Sequence, residues 1–504
     1  MCDQCGPTRG DGDLSRRRLL QVGALGLGSA LLPATAGAHP PAAPGGGPPG
    51  RRVLLRGGTV LTLDDTVGDF VRGDVLVEDG RIRAVGPNLR APGAAAIDCT
   101  GKIVTPGFVD THRHMWQALF RNSGPDTLLL DYVEDVLQGF NLNLTPEEVY
   151  LGDLIAALSA LNAGVTTILD WSHINLTPQH SDAVIQALRD SGIRAVYGYG
   201  PVFYHPNPAR DPYPRDIFRL RNRYFSSEDQ LLTLAMATRG SFGSVPQAVS
   251  EWKVAREVGA RITTHIGVGA GGPGYLKQIA DALAAASVRG LGDDTTYVHA
   301  CTLTDVELAM IAASGGSLSL AVPVELSMGH GMPPIQRGLD HGIRMSLSVD
   351  VETNTPTDMF TQMRAAFGLQ RGLKNEEHLF RIPDPGLDEH RAKLLTARDV
   401  LKLATIGGAE ANGLGSRTGT LTPGKRADLL LLDATALNVA PVSNATGAVV
   451  LGMDTSNVDS VMVDGRFVKR DGRLVGVNVD RLLAQAQNLH DAVMRRNGRP
   501  SLTT

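Results

Sequence analysis

Aromatic residues, cysteines and long apolar runs are scarce in this sequence. Aromatic side chains make up 5% of the 504 residues, and only four cysteines are present: Cys2, Cys5, Cys99 and Cys301. Cys2 and Cys5 lie in an N-terminal segment that we expect to be removed, and the two that remain, Cys99 and Cys301, are too few for a disulfide framework. The formal net charge of -4 provides no basic surface for nucleic acid. No apolar stretch after the first 40 residues could span a membrane. With 42% hydrophobic and 20% charged residues, the composition predicts a soluble globular protein.

The N-terminus has the three-part layout of an export signal. Ser15–Gln21 includes three consecutive arginines, an apolar Gly/Ala-rich run continues to Leu32, and Ala36–Ala38 offers a small-residue cleavage site. This pattern predicts a Tat-type signal peptide over residues 1–38, followed by a Pro/Gly linker over 39–51. The Tat export machinery would then deliver the protein to the periplasm or the exterior of a bacterium. A basic N-terminus arising by chance is the alternative.

Short strands flank the long middle part of the chain on both sides. Residues 52–105 alternate apolar and polar positions around turns such as Asp79-Gly80, and residues 415–476 repeat this pattern around Asp464-Gly465. Neither flank is long enough to bury a core alone. We therefore predict one composite β-sandwich domain built from both flanks. Residues 477–504 predict a C-terminal helix and tail, because apolar residues recur there at helical spacing.

The middle of the chain, residues 106–414, alternates strand-like and helical stretches. This alternation is typical of parallel β/α units, and about 300 residues is the size of a (β/α)8 barrel of the TIM type. The predicted fold class is therefore α/β. The eight predicted strand ends lie at His112–His114, Thr166–Asp170, Ala195–Gly198, Leu232–Met236, Ile262–His265, Thr296–His299, Leu318–Val322 and Met345–Asp350.

Five residues with metal-binding chemistry lie at the predicted strand ends. His112 and His114 are two positions apart, so on a strand they project from the same face. His265, His299 and Asp350 close three other strands. In a barrel all the carboxyl ends of the strands meet on one face, so these residues should converge although they are far apart in sequence. Neutral imidazoles suit zinc or iron, and the sequence predicts a divalent transition metal, zinc first and iron second.

Two motifs resemble those of the amidohydrolase superfamily. The stretch Thr105–His114 resembles the first-strand signature of that superfamily, and Gly419–Leu429 resembles its return to the β-domain. Within the superfamily, His112-x-His114-x-x-Gln117 and Thr355–Phe360 are most similar to the branch of cytosine deaminases, nucleoside deaminases and triazine (chloro)hydrolases.

This resemblance implies a role for each site residue. It implies that His112, His114, His265 and Asp350 bind the metal and that His299 hydrogen-bonds the water or the substrate oxygen. It also implies that Trp116 and Gln117 lie where this branch contacts its substrate.

Two departures from the superfamily pattern matter. No lysine follows the fourth predicted strand at Leu231–Ala237, whereas members with two metals usually carry a carboxylated lysine there, so we expect one metal. The deaminase branch normally has a glutamate three residues after the fifth-strand histidine, and position 268 is valine. That glutamate moves protons to a ring nitrogen during deamination. Glu325 and Glu352 are the candidates to replace it, or they are solvated or paired carboxylates.

Two further histidines are expected on loops of the reactive face. His173 follows the second predicted strand, and His330 lies in the loop Met328–Gly331. For each, a substrate contact is one hypothesis and an ordinary loop histidine is the other. The substrate-binding candidates are therefore Trp116, Gln117, His173, Glu325 and His330.

Three hypotheses for the function remain open at this point. The leading one is a metal-dependent hydrolase that cleaves a non-peptide carbon–nitrogen bond in an amide, ureide or heterocyclic amidine by a metal-activated water. In it, Asp350 moves the protons and His299 polarises the group under attack. The second is an aminohydrolase of a purine-, pyrimidine- or triazine-like ring, and the third is an inactive metal- or ligand-binding scaffold. Under the first two hypotheses the partner is a small-molecule substrate. The sequence does not identify that substrate, and it leaves open whether the protein forms a homo-oligomer.

Overall fold

The computed structural model describes residues 52–379, 381–500 and 502. The predicted signal peptide and linker lie outside these residues. In the described part, seventeen strands form two sheets. They are β1 (Arg52–Val60), β2 (Phe70–Glu78), β3 (Arg81–Gly86), β4 (Ala95–Asp98), β5 (Lys102–Pro106), β6 (Phe108–Arg113), β7 (Val165–Ser172), β8 (Arg194–Tyr199), β9 (Leu232–Thr238), β10 (Arg261–Ile266), β11 (Thr295–His299), β12 (Ser317–Leu320), β13 (Arg344–Leu347), β14 (Leu429–Asp433), β15 (Val458–Val463), β16 (Arg466–Arg470) and β17 (Arg473–Leu474).

Helices follow most of the barrel strands. Those of the described residues are α1 (Leu129–Tyr132), α2 (Pro146–Asn162), α3 (Pro178–Ser191), α4 (Ile217–Tyr224), α5 (Val245–Val258), α6 (Tyr275–Ala285), α7 (Asp305–Ser314), α8 (Val322–Ser327), α9 (Ile335–Asp340), α10 (Met359–Glu377), α11 (Leu387–Arg391), α12 (Ala397–Lys402), α13 (Gly408–Ala411), α14 (Ala445–Gly447) and α15 (Val479–Arg496). Short 3-10 or π segments lie between them, among them Met115–Phe120 after β6 and Val133–Leu137 after α1. None of the described helices is both long and apolar enough to cross a membrane.

Strands β6 to β13 form the predicted barrel. They pair in parallel and in chain order, and every residue of β6, β7 and β8 is buried. The ends of the barrel sheet meet through the backbone, where Asp350 N donates to His112 O at 2.9 Å and His114 N donates to Asp350 O at 2.8 Å. The α/β barrel prediction is confirmed.

Local sequence signals fix where the helices begin. Thr145 caps α2 and Thr304 caps α7; each side chain accepts from the backbone three residues later, and Glu148 and Glu307 bond back to the cap. These capping boxes satisfy donors that would otherwise be lost at a helix start. The predicted helical patterns therefore correspond to real helices, and their placement leaves the carboxyl ends of the strands free to carry the site.

The second sheet combines both ends of the described chain. Its order is β17-β16-β15-β14-β5-β1-β2-β3, with β4 beside β1, so β5 and β14 join the two flanks side by side. A shared apolar core includes Val53 and Val75 from one flank and Leu431 and Met462 from the other. The separate sheet built from both flanks is thus confirmed, as one nine-stranded sheet, and the division of the chain into domains stays a prediction.

Candidate metal centre

The five predicted site residues meet at the carboxyl ends of the barrel strands. His112 lies near the end of β6 and His114 directly follows that strand, which ends at Arg113; His265 lies in β10 and His299 ends β11. Asp350 follows β13 by three residues and is held by an isolated bridge to Arg113 rather than by the strand itself. Both His299 and Asp350 have a φ of 73°, a left-handed conformation that is rare for residues other than glycine. Such strain at two strand ends is typical of functional sites.

The reactive atoms of these side chains face one another. Asp350 Oδ1 lies 3.1 Å from His112 Nε2 and 3.3 Å from His114 Nε2, and His112 Nε2 lies 3.2 Å from His265 Nε2. Asp350 Oδ2 faces the other way, 3.6 Å from His299 Nε2. Ligand atoms of His112, His265, His299 and Asp350 all lie within 4.8 Å of one another. The convergence expected from the strand ends is therefore present. The four-residue group contains His299 and not His114, whose Nε2 contacts Asp350 Oδ1.

The chemistry of this donor set fits a divalent metal. Burial lowers the pKa of His112 to about 3 and that of His299 to about 4, so both rings are neutral near pH 7. Burial opposes ionisation of Asp350, but His112 and its other neighbours outweigh that effect and hold the pKa of the carboxyl well below its usual range. Neutral imidazoles around an ionised carboxylate are electron-pair donors gathered in a buried space. Transition metals bind such sets of nitrogen and oxygen atoms.

Two outer contacts orient the histidines. His114 Nδ1 lies 2.8 Å from Trp171 O, which can only accept, so Nδ1 carries the hydrogen and Nε2 keeps its lone pair. His299 Nδ1 lies 3.2 Å from Glu325 Oε1, and that oxygen also accepts from Ala321 N at 2.9 Å. Burial raises the pKa of Glu325 to about 8. Partners of this kind fix the tautomer and direction of a metal-site imidazole.

A narrow cavity opens above the cluster. It has about 390 Å³ of empty space, its open mouth included, and Asp350 is the only carboxylate among the residues that line it. His173 and His330 line it as well, so both lie on the reactive face. Most of the wall is apolar or aromatic, and part of it comes from the segment around α1, where Leu129 N donates to Met328 O at 3.1 Å.

The other predicted substrate residues lie behind the cavity wall. Trp116 donates from Nε1 to His173 Nδ1 at 2.9 Å, and Gln117 donates from Nε2 to the Tyr132 hydroxyl at 2.6 Å. Neither lines the cavity, and neither does Glu325. Their contact with substrate stays a prediction; the contacts in the structure show them supporting His173, Tyr132 and His299.

Glu352, the second candidate to replace the glutamate missing at position 268, is held in an ion network. Its Oε1 lies 3.4 Å from Arg113 Nη1 and its Oε2 lies 2.6 Å from Arg121 Nε. Arg113 also pairs with Asp110 at 2.8 Å, and the side chains of Arg113, Asp110 and Glu352 are fully buried. These contacts support the structural interpretation of Glu352.

Sequence reasoning missed several residues that shape the cavity. Tyr132 contributes a hydroxyl 3.4 Å from His173 Nε2, while Phe203 and Phe242 supply aromatic walls, with Phe203 stacked parallel to Trp171. All three missed residues lie on connections outside the barrel strands, where no periodicity marks them. The Trp-x-His spacing of Trp171 and His173 at the end of β7 was the one local signal available on this side of the site.

Comparisons with known proteins find similar sequences over most of the chain. Residues 103–468 match the model of the amidohydrolase family. A 5'-deoxyadenosine deaminase from Methanosarcina mazei is 25% identical over 458 residues, covering 88% of this chain and 99% of that protein. A 5-methylthioadenosine/S-adenosylhomocysteine deaminase from Pyrococcus furiosus is 24% identical over 437 residues, covering 86% of this chain and 98% of that protein.

Solved structures share the fold. An adenosine deaminase from Xanthomonas campestris with bound zinc has a TM-score of 0.75 at 22% identity, and the match covers 89% of this chain and all, 100%, of the other. The atrazine chlorohydrolase TrzN from Arthrobacter aurescens, complexed with zinc, has a TM-score of 0.70 at 21% identity, with 87% and 100% covered. At these identities the likeness to the solved structures establishes the fold.

Proposed function

The chain belongs to the amidohydrolase family, and we propose that it hydrolyses a carbon–nitrogen bond in a small amide, ureide or heterocyclic amidine. The enzyme class, a metal-dependent hydrolase of non-peptide carbon–nitrogen bonds, follows from the family. The observation that carries the proposal is the convergence of His112, His114, His265, His299 and Asp350 at the base of one cavity. That arrangement offers a metal site, a proton acceptor and space for a small substrate in one place.

We assign His112, His114, His265 and Asp350 as the metal ligands and zinc as the ion. The zinc bound in the adenosine deaminase and in TrzN supports zinc over iron. When bound, the ion would act as a Lewis acid and lower the pKa of a water to about 7. Asp350 accepts a proton from the attacking water at Oδ2, the oxygen nearest His299, and gives it to the leaving nitrogen. His299, steadied by Glu325, contacts the group under attack.

The metal content tests this assignment. Purified full-length protein should contain one equivalent of a transition metal per chain. Among the described residues His112, His265 and Asp350 gather in one place together with His299, His114 Nε2 lies 3.3 Å from Asp350 Oδ1, and no lysine follows the fourth strand to bridge a second ion. Elemental analysis of protein purified without chelators measures this number directly. Two equivalents per chain would contradict the single-metal assignment.

A ring aminohydrolase is the second candidate, and the relatives favour it. Both curated relatives named above are deaminases of adenine nucleosides or their derivatives. The residue that argues against it is Val268, which stands where this branch normally has its proton-transferring glutamate. Ammonia release from 5'-deoxyadenosine, cytosine and melamine, compared with amine or acid release from linear amides and hydantoins, would separate the two candidates.

Restoring the glutamate gives a sharper comparison. If the substrate is an amide or ureide, Asp350 can move both protons, so Val268→Glu should add no activity. Val268 is only 8% exposed, and a carboxylate buried there without a partner should lower the free energy of unfolding by about 1–3 kcal/mol. Steady-state rates and denaturant unfolding measure the two effects. A tenfold or greater gain in ammonia release from a heterocycle would instead support the aminohydrolase.

We also propose export by the Tat machinery. The sequence supports this route with three consecutive arginines, a Gly/Ala-rich apolar run of moderate hydrophobicity and a small-residue cleavage site at Ala36–Ala38. Replacing Arg16 and Arg17 with lysine in the full-length chain should retain the precursor in the cytoplasm, whereas the unchanged chain should yield a mature form in the periplasm. Export that persists in the lysine variant would contradict this route.

A further inference from the structure

The imidazole of His330 lines the cavity and has no hydrogen-bond partner within the described residues. The residue is 3% exposed, it lines the cavity with His299 and Asp350, and neither of its ring nitrogens makes a hydrogen bond within the described residues. A buried polar group without a hydrogen-bond partner costs free energy, so it calls for an explanation, and at the wall of a cavity a bound ligand or a catalytic role supplies one. His173, the other loop histidine of the cavity, differs because its Nδ1 accepts from Trp116.

The loop around His330 is built to hold that ring in place. His330 N donates to Glu325 O at 3.1 Å, and Gly269 N donates to His330 O at 2.9 Å, so both backbone groups are fixed. Gly331 has a φ of 124°, where a side chain is strained, and a Cβ there would lie 3.0 Å from Cys301 Cβ. The loop therefore requires glycine next to the histidine.

The ring of His330 lies next to the proposed reacting centre. The His330 ring meets the His299 ring edge to face, with centroids 4.6 Å apart. Its backbone is tied to Gly269, the residue that follows Val268. His330 therefore lines the cavity beside the loop that contains Val268, and its ring contacts the ring of His299. Burial keeps the pKa of His330 low, at about 4, so the ring is neutral and can donate one N–H near pH 7.

We propose that His330 is a further catalytic residue, whose ring N–H hydrogen-bonds the acceptor atom conjugated to the carbon under attack. This proposal rests on the proposed function and deepens it. In a cyclic amidine the acceptor is the ring nitrogen, and in an amide or ureide it is the carbonyl oxygen. A hydrogen bond there withdraws electron density from the carbon as the water oxygen approaches, and it strengthens as negative charge develops on the acceptor. The substrate class is therefore one with such an acceptor beside the scissile bond.

Three variants test the proposal in metal-replete, full-length protein. His330→Ala should lower kcat by about 10²–10³, the usual effect of removing one donor that stabilises developing charge. His330→Gln, whose amide can still donate, should recover at least tenfold of that loss. His341→Ala, at the end of α9 and outside the cavity lining, is the control and should match the unchanged protein. Metal content and melting temperature should be equal in all of them.

A binding measurement keeps the proposal independent of turnover. Calorimetric titration with cytosine, melamine and hydantoin should show about tenfold weaker binding of at least one probe by His330→Ala than by the unchanged protein. Equal kcat and equal probe affinity in the two proteins would overturn the proposal and leave the proposed function intact. An unchanged protein that neither turns over nor binds any probe would overturn both. A loss in His330→Ala that His330→Gln does not relieve, accompanied by a lower melting temperature, would show a structural role and overturn the proposal.

Discussion

Replacing His112 or His265 with alanine should abolish metal binding and turnover together. The Nε2 atoms of these rings lie 3.2 Å apart, and Asp350 Oδ1 lies 3.1 Å from His112 Nε2. Removing either imidazole leaves a set of donors that cannot close around one ion. The rate should fall to the background of the assay, and bound metal should fall well below one equivalent at the same free metal concentration.

His299→Ala should behave differently and retain much of the metal. Its Nε2 lies 3.6 Å from Asp350 Oδ2, and its Nδ1 is engaged by Glu325. The four residues that we assign as ligands all remain in this variant. Turnover should fall because the group under attack loses this contact, while elemental analysis should still find metal. His341→Ala serves as the matched control, since this histidine lies outside the cavity lining. Equal loss of metal in the variants of His112, His265 and His299 would show that His299 is a full ligand.

Glu352→Gln should destabilise the protein strongly and leave its chemistry largely intact. The side chains of Glu352 and Arg113 are fully buried, and Glu352 also pairs with Arg121 at 2.6 Å. Removing one charge from a buried network leaves the other uncompensated, which should lower the free energy of unfolding by about 3 kcal/mol. Arg113 retains Asp110 as a partner, which keeps the expected loss at the lower end of such effects.

Denaturant unfolding measures this loss, with Glu389→Gln as the control. Glu389 forms only an exposed pair with Lys393, with side chains 81% and 54% exposed, so the same substitution there should change stability by less than about 1 kcal/mol. Metal content and kcat of folded Glu352→Gln, measured at low temperature, should stay within a few-fold of the unchanged protein. Unaltered stability with a rate loss of about 10²–10⁴ would instead make Glu352 the proton-transferring group.

Glu325 needs a different interpretation from Glu352. At the level of sequence, a rate loss in Glu325→Gln would have indicated a relocated proton donor for ring deamination. In the structure its Oε1 holds His299 Nδ1, so the same loss also follows from a misdirected His299. The comparison of amide and heterocycle turnover, together with Val268→Glu, therefore separates the two chemistries better than Glu325→Gln does.

The residues of the metal cluster could be predicted from the sequence because most of them lie at the ends of regular strands. Alternation along β6 placed His112 and His114 on one face, and the rule that strand ends converge brought His265 and His299 to them. Asp350 was expected to close the last strand, but β13 ends at Leu347. Its carboxylate reaches the site through a left-handed backbone and hydrogen bonds to β6, neither of which leaves a sequence pattern.

The residues of the cavity wall were harder to predict from the sequence because they lie on the segments that connect the barrel strands. Tyr132 reaches the cavity from the end of the short helix α1 and Phe203 from the connection after β8, and no spacing rule marks either residue. Trp116 and Gln117 do not line the cavity, because the 3-10 segment after β6 directs them toward His173 and Tyr132, and their contact with substrate stays a prediction. The partners of Glu325 and Glu352 depended in the same way on contacts between distant segments.

One measurement tests the central claim most directly: product release by the full-length protein from a panel of small amides, ureides and heterocyclic amidines, with and without a chelator. We expect ammonia, amine or acid from at least one member of the panel, loss of that activity when the metal is removed, and recovery when zinc is restored. Turnover that is unaffected by complete metal removal would contradict the account. So would a protein with one bound metal that hydrolyses no member of either the amide or the heterocycle panel, which would favour an inactive scaffold.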